Sequence, residues 1–275
     1  MESNLPKTSD NAWVPSPSQE TICPLCESDT PIEIGTKGRH GIPVRNVACS
    51  RCGTVYVTPR PSRDQMAEFY RSHYRKQHVL PMRLDDGKLA PYGTPEYDTA
   101  VAERGRRQGQ LALTMGRTRP GERVLDVGCR RGRTLRTMME TVDIRAFGIE
   151  PEETESAIAE SHGIQMHTGL LDTFEKEHDS FDQIQMFHAL EHVHDPLGTL
   201  LRLRTLLRPT GRLIIEVPDM MQPYGGLEWF FQYPHLYNFS RNTLTALFRR
   251  AGLEPIRGSF AGTVVLVGRP MNDVS

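Results

Sequence analysis

The stretch Val124–Leu135, V-L-D-V-G-C-R-R-G-R-T-L, limits the possible folds of this chain more than any other. Its first four residues are an apolar run interrupted only by Asp126, and Gly128 follows directly. That pattern predicts a buried parallel strand breaking into a tight turn. Beyond Gly132, the residues Leu135, Arg136, Met138 and Met139 favour helix. Strand, glycine-bearing turn and helix N-terminus together form a cradle for a nucleotide-containing cofactor. Glycine lets the backbone come close to a ligand, and the N–H groups of the turn face it. Roughly twenty residues on, Arg145–Ile149 predicts a second strand ending on Glu150, whose carboxylate is placed to take a pair of ribose hydroxyls.

A glycine turn by itself is weak, so the residues that follow carry the decision. Glu150-Pro151 closes the second strand, and Gly169-Leu170-Leu171-Asp172 comes next. Then come F-D-Q-I-Q-M-F-H-A-L-E-H-V from Phe181 and the strand G-R-L-I-I-E-V-P from Gly211. In that order, these motifs resemble the class I S-adenosylmethionine-dependent methyltransferases, over about Gly121 to Arg269. The resemblance implies an α/β fold, a doubly wound and mostly parallel seven-stranded Rossmann-like sheet. It gives Asp126, Gly128 and Gly132 the methionine end of the cofactor, Glu150 with Pro151 the ribose, and Leu171 with Asp172 the adenine. Phe187 and His188 would lie beside the methyl-bearing sulfonium. One position departs from the family's D-x-G-x-G-x-G: Arg130 stands at its middle glycine. Its side chain must point away from the turn or pair with the cofactor's carboxylate.

Ahead of this domain, C-P-L-C at Cys23 and Cys26 is answered by C-S-R-C-G at Cys49 and Cys52. Two C-x-x-C pairs suit a tetrahedral zinc site, and four protein ligands close it, as in a structural rather than a catalytic centre. So small a segment would depend on the metal to fold. Pro31–Ile34 and Val44–Val47 read as short strands between the knuckles. The expected organisation is a flexible tail over 1–18, a zinc-ribbon-like module over 19–62, a helical linker or cap over 63–118, and the cofactor-binding domain over 119–275.

In the linker, Met66, Phe69, Tyr70 and Tyr74 recur at helical spacing. They read as the core stripe of a connecting helix. The resemblance offers the alternative of a cap over the cofactor pocket. Leu80–Pro95, with its Asp85-Asp86-Gly87 turn, is a lid or a plain loop. Tyr97–Met115 is helical. The arginine-rich stretch Arg104–Arg145 reads as a solvated helical face, or alternatively as a surface for a phosphate-bearing acceptor. Further on, a helix follows Glu150 and ends at Gly163, with strands at Gln165–Thr168 and Gln183–Phe187. Asp195-Pro196 signals the start of a helix over Leu197–Leu207. A strand at Leu213–Val217, a helix over Arg241–Ala251 capped by Ser240, and a terminal pair at Glu254–Arg257 and Thr263–Val267 complete the series.

The chemistry should sit beyond the carboxyl ends of the strands. The long aromatic loop Pro218–Phe239 reads either as an acceptor-binding element or as a self-packed hydrophobic loop. Among the histidines near it, His192 is the first candidate for a general base, His188 the second and His235 the third; His194 is also near. His188, Glu191 and His192 have the spacing of one helical face. The segment looks like the E-x-x-E-H of ubiquinone-pathway O-methyltransferases, where the triad can hold a divalent metal, with His188 here in place of the first acid.

The resulting expectation is methyl transfer from S-adenosylmethionine to a small-molecule acceptor: a sugar, a natural product or a quinone-like intermediate. RNA methylation guided by the zinc module, or a non-catalytic binding protein retaining the fold, are the alternatives. A formal net charge of -1 gives no overall pull toward nucleic acid or anionic lipid. Neither an apolar run of the ~20 residues that span a bilayer nor a signal-peptide core appears in the sequence. A cytoplasmic address with reduced cysteines is therefore expected. Nothing in the sequence speaks to an oligomeric state.

Overall fold

A computed structural model describes residues 19–70, 82–83, 88–91, 94–175, 180–223, 226–259 and 262–271. The expected tail over 1–18, Tyr74 and the Asp85-Asp86-Gly87 turn lie outside the described residues. The strands are β1 Pro31–Lys37, β2 Pro43–Cys49, β3 Val55–Val57, β4 Arg123–Val127, β5 Arg145–Glu150, β6 Gln165–Thr168, β7 Phe181–Phe187, β8 Leu207–Pro218, β9 Tyr237–Asn238, β10 Leu253–Ser259 and β11 Thr263–Pro270. The helices are α1 Arg63–Glu68, α2 Pro95–Gly116, α3 Arg133–Thr141, α4 Glu153–Glu160, α5 Pro196–Leu206, α6 Leu227–Phe230 and α7 Arg241–Arg250. A short ladder joins Met82–Arg83 to Leu89–Ala90.

The apolar runs behave as strands covered on both faces. Val124, Leu125 and Val127 in β4 are buried, as are Leu213, Ile214, Ile215 and Val217 in β8. Seven strands line up in the order β10-β11-β8-β7-β4-β5-β6. β8, β7, β4, β5 and β6 are parallel, and β11 runs antiparallel between β8 and β10. This is the doubly wound, mostly parallel sheet expected from the sequence, including its terminal antiparallel hairpin. β8 begins at Leu207, earlier than the expected Leu213. Leu207 pairs with Phe181 directly after α5, and an irregularity precedes the next pair, Arg212 with Gln183.

Helix ends follow their local signals. The Asp195 carboxylate accepts from the Gly198 N–H at 2.9 Å and Pro196 opens α5. Ser240 and Thr243 form a reciprocal capping box on α7. The α2 and α3 helices pack closely because Gly105 faces Arg133; a Cβ at Gly105 would lie 2.6 Å from the Arg133 Cβ.

A second sheet of four strands, in the order β1-β2-β3-β9, carries Cys49 and Cys52 at its β2–β3 turn, with Cys23 and Cys26 in a turn ahead of β1. Its last member comes from the aromatic loop, far along the chain: Tyr237 pairs with Tyr56 and Asn238 with Val55.

Gly132 joins the cofactor turn to α3 at φ 67°. A Cβ there would lie 2.2 Å from the Ile164 Cδ1. Gly132→Val therefore combines left-handed strain with overpacking and should destabilise the fold by about 1–3 kcal/mol. A urea midpoint equal to that of the unmodified protein would contradict the close packing.

Candidate active site

The turn after β4 is fastened to β5. The N–H groups of Gly128 and Cys129 donate to the Ile149 carbonyl at 2.8 and 3.2 Å. Gly128 has φ 77°, and a Cβ there would lie 3.2 Å from the Ala189 Cβ, so a side chain would crowd the cradle. Arg130 adopts φ 50°, the left-handed conformation available to the glycine that it replaces. Its side chain turns to α4, where the Arg130 Nε lies 3.6 Å and the Arg131 Nε 2.7 Å from the two oxygens of the buried Glu155. The departure from the family motif is thus absorbed by a neighbouring acid.

Glu150 is buried at the end of β5. Its Oε2 accepts from the Arg130 N–H at 2.9 Å and its Oε1 from the Glu152 N–H at 3.1 Å. Each oxygen keeps a lone pair for a further donor such as a ribose hydroxyl. Burial raises its pKa, and those two N–H groups oppose the rise. Asp126 is buried in β4, and desolvation pushes its pKa up to about 7 against the opposing pull of the nearby Gln185 side chain. Leu171 is buried in a short 3-10 turn, whereas Asp172 is exposed and lies 3.5 Å from the Arg63 Nη1. Pro151 is exposed, and Phe187 is buried at the end of β7. The turn after β4 and the end of β5 therefore form a cradle with two carboxylates beside glycine backbone, which fits an adenosyl cofactor.

The histidines converge beyond β7, although not in the way their spacing predicts. His188 has φ 50°, and its N–H donates to the Glu216 carbonyl at 2.8 Å. Only Leu190–His192 forms a 3-10 turn, so His188, Glu191 and His192 do not share a helical face. The sharp bend at His188 brings them together instead. The His188 Nδ1 lies 3.6 Å from the Glu191 Oε1, and the His188 Nε2 lies 3.5 Å from the Glu216 Oε1. Glu191 is 1% exposed, and among the described residues neither of its oxygens has a hydrogen-bond partner. Burial would raise its pKa; the surrounding His188, His192 and His235 outweigh this and bring it to about 2.

His192 is held from one side only. Its Nδ1 lies 3.0 Å from both the Tyr70 hydroxyl and the Pro234 carbonyl. A carbonyl only accepts, so Nδ1 carries the proton and Nε2 keeps its lone pair free. The Nε2 faces the Glu191 Oε1 at 3.9 Å. The buried His235 stacks edge-on at 4.8 Å between ring centroids, and desolvation, aided by His192, pushes its pKa down to about 3.

Among the described residues, two side-chain groups have metal-ligand spacing. In the first, the sulfurs of Cys23 and Cys52 lie 3.4 Å apart and those of Cys26 and Cys49 lie 3.5 Å apart. Zn–S bonds of about 2.3 Å span such a cluster. In the second, donor atoms of Glu191, His192 and His235 lie within 4.8 Å of one another. His235, from the aromatic loop, thus takes the place expected for His188 beside Glu191 and His192, and His188 is not a member of this group. His194 stands apart, its backbone carbonyl accepting from Arg60 and Tyr237.

Sequence reasoning missed two participants. Glu216 in β8 is 0% exposed and gathers Arg107, Gln108, Thr263 and His188 around its carboxylate. The signal was a lone acid inside L-I-I-E-V. Tyr70 follows α1, whose Met66 and Phe69 pack with Tyr233 as the predicted core stripe. Tyr70 is itself a member of that stripe, whose spacing gave no hint that its hydroxyl would reach His192.

The aromatic loop packs partly on itself, Tyr237 stacking on Phe239 at 5.9 Å, and partly on the cysteine module. Phe230 and Phe231 are buried among Val44, Val55 and Val57 of the cysteine module.

A family model described as a methyltransferase domain matches residues 99–257. An uncharacterised 37.1 kDa protein in transposon Tn4556 of Streptomyces fradiae is 31% identical over 127 residues, which are 44% of this chain and 37% of that protein. The ubiquinone biosynthesis O-methyltransferase of Hahella chejuensis is 32% identical over 104 residues, 35% of this chain and 43% of that enzyme. The chain thus spans less than half the length of these curated relatives. Among solved structures, a methyltransferase in complex with the Haloferax volcanii Trm112 activator superposes with a TM-score of 0.58 at 19% identity, over 65% of this chain and 95% of that one. Burkholderia thailandensis 1,6-didemethyltoxoflavin-N1-methyltransferase, with its substrate and S-adenosylhomocysteine bound, gives 0.51 at 21% identity, over 70% of this chain and all of that one. At these identities the structures establish a shared fold.

Proposed function

The chain belongs to the class I S-adenosylmethionine-dependent methyltransferases, and from that premise we propose that it methylates a small-molecule acceptor with His192 as general base. The observation that carries this reading is the one-sided fastening of His192, which leaves its Nε2 free beside the buried Glu191. The cofactor, when bound, supplies an electrophilic methyl group on a sulfonium sulfur. The residues assigned to hold it are Glu150 and Pro151 at the ribose, Leu171 and Asp172 at the adenine, and Asp126, Gly128 and Gly132 at the methionine end. Phe187 and His188 would lie on its methyl side.

His192 Nε2 takes the proton of the acceptor nucleophile, and the Glu191 carboxylate stabilises the imidazolium that results. His235, kept neutral by burial, forms the wall of the acceptor pocket and ranks behind His192 and His188 as a base. Alignment of acceptor and methyl donor contributes up to ~7–11 kcal/mol, so a rigid pocket matters as much as the base. The four cysteines hold one structural zinc in a module over 19–62, joined through 63–118 to the catalytic domain over 119–275. The aromatic loop beside the histidines and the near-neutral charge favour a sugar, natural-product or quinone-like acceptor over RNA. Among the described residues no helix is long and apolar enough to cross a membrane.

Methyl-labelled S-adenosylmethionine tests the reading against a panel of hydroxylated small molecules and RNA. Label in a small molecule is the expected result, and label in RNA alone would overturn it. The ribose assignment has its own check: Glu150→Ala should weaken S-adenosylmethionine binding by about 1.5–3 kcal/mol, through loss of charge-assisted hydrogen bonds. Equal affinities by calorimetry would contradict it.

A further inference from the structure

We infer that the cysteine module is the scaffold of the acceptor half of the active site, so that metal at its four cysteines sets the position of His235 and of the Pro234 carbonyl. This rests on the reading that the acceptor binds at the histidine cluster.

The loop carrying these groups is bonded to the module at both ends. At its start, the Arg39 N–H donates to the Phe231 carbonyl at 2.8 Å, and the Arg39 Nε donates to the Trp229 carbonyl at 2.9 Å. The Arg39 guanidinium also lies 5.3 Å from the centre of the Trp229 ring. At its end, the Val57 N–H donates to the Leu236 carbonyl at 2.9 Å, and the Asn238 Nδ2 donates to the Asn46 Oδ1 at 3.0 Å. β9 then continues the module's sheet beyond β3. His235 and Pro234 lie between these two anchors, and the Pro234 carbonyl is what fixes the tautomer of His192.

The anchors in turn depend on the knuckles. Cys49 ends β2 and Cys52 stands three residues before Val55, so the second knuckle is the hairpin turn of β2 and β3. The Cys49 N–H donates to the Thr54 carbonyl at 2.9 Å, and the Gly53 N–H donates to the Cys49 carbonyl at 2.9 Å. A sheet this small lacks the apolar core to stand alone, so its order follows the metal. The cofactor cradle is built instead from β4, β5 and the start of α4. Metal loss should therefore loosen the acceptor side and spare the cofactor side.

The experiment uses the full chain in a Trp13→Phe background, where Trp229 is the remaining tryptophan. Zinc is removed with a chelator and then restored. Zinc content, Trp229 emission, hydrogen exchange of peptides covering 227–240 and 123–150, and S-adenosylmethionine affinity by calorimetry are followed together. The expected result is about one zinc per chain, and on its removal a red-shifted Trp229 with at least about tenfold faster exchange over 227–240. Exchange over 123–150 and cofactor affinity should stay within about twofold, and zinc should reverse the changes. Arg39→Leu, with all four cysteines intact, should retain zinc yet shift Trp229 and speed exchange at the start of the loop. Three results would each overturn the inference: native protein without zinc, unchanged protection over 227–240 after metal loss, or a parallel collapse of cofactor affinity. A failure to find any methylated acceptor would count against the proposed function and leave these readouts intact.

Discussion

His192→Ala should lower kcat by about 10²–10⁴ while leaving S-adenosylmethionine affinity almost unchanged. The reason lies in how the imidazole is held. Its Nδ1 is committed to the Pro234 carbonyl and the Tyr70 hydroxyl, and its Nε2 is not bonded to either. Alanine removes the free nitrogen and touches neither Glu150 nor the glycine turn. The loss should shrink at high pH, because hydroxide can then deprotonate an acceptor of accessible pKa. Tyr70→Phe should cost less than His192→Ala, since the Pro234 carbonyl still selects the tautomer. Wild-type kcat in each of His192→Ala, His188→Ala and His235→Ala would show that no histidine is the base. Alignment of an acceptor that is already nucleophilic would then account for the rate.

Glu216→Leu should destabilise the fold by about 1–3 kcal/mol, the cost typical of leaving buried hydrogen-bonding partners of a lost carboxylate unsatisfied. The substitution strands the buried Gln108 amide and takes a partner from the Thr263 hydroxyl, while the half-exposed Arg107 guanidinium turns to water. It also carries a pH signature. Burial works against ionisation of Glu216, yet His188, Arg107 and Gln108 hold its pKa well below the usual carboxylate range. A carboxylate whose folded pKa is depressed contributes stability above its unfolded pKa, and that contribution is lost as pH falls toward the folded value. The wild type should therefore lose more stability than Glu216→Leu on going from neutral pH to below the ordinary carboxylate pKa. Urea midpoints at the two pH values measure this. A midpoint at neutral pH unaffected by the substitution would contradict the assignment of Glu216 as a buried hub.

The strand-turn-helix at Val124–Leu135 was legible because apolar runs and glycines report backbone geometry directly. The parallel series and the terminal hairpin followed from local pattern in the same way. β9 was not legible: two residues that pair with a strand more than 180 positions earlier leave no periodicity. For the same reason the aromatic loop's partner, the cysteine module, was hidden, and with it the position of His235. The helical spacing of His188, Glu191 and His192 misled, because the left-handed φ of His188 breaks the turn that spacing assumes. Arg130 is the converse case. The sequence marked it as a departure, and only the fold supplies Glu155, which receives its side chain.

The most direct test of the account is a crystal structure of the protein with S-adenosylhomocysteine. The account predicts ribose hydroxyls within hydrogen-bond reach of the Glu150 carboxylate, the sulfur on the side of Phe187 and His188, and the Arg130 side chain still directed to Glu155. A ribose away from Glu150, or an Arg130 side chain folded into the turn in place of the ligand, would contradict it.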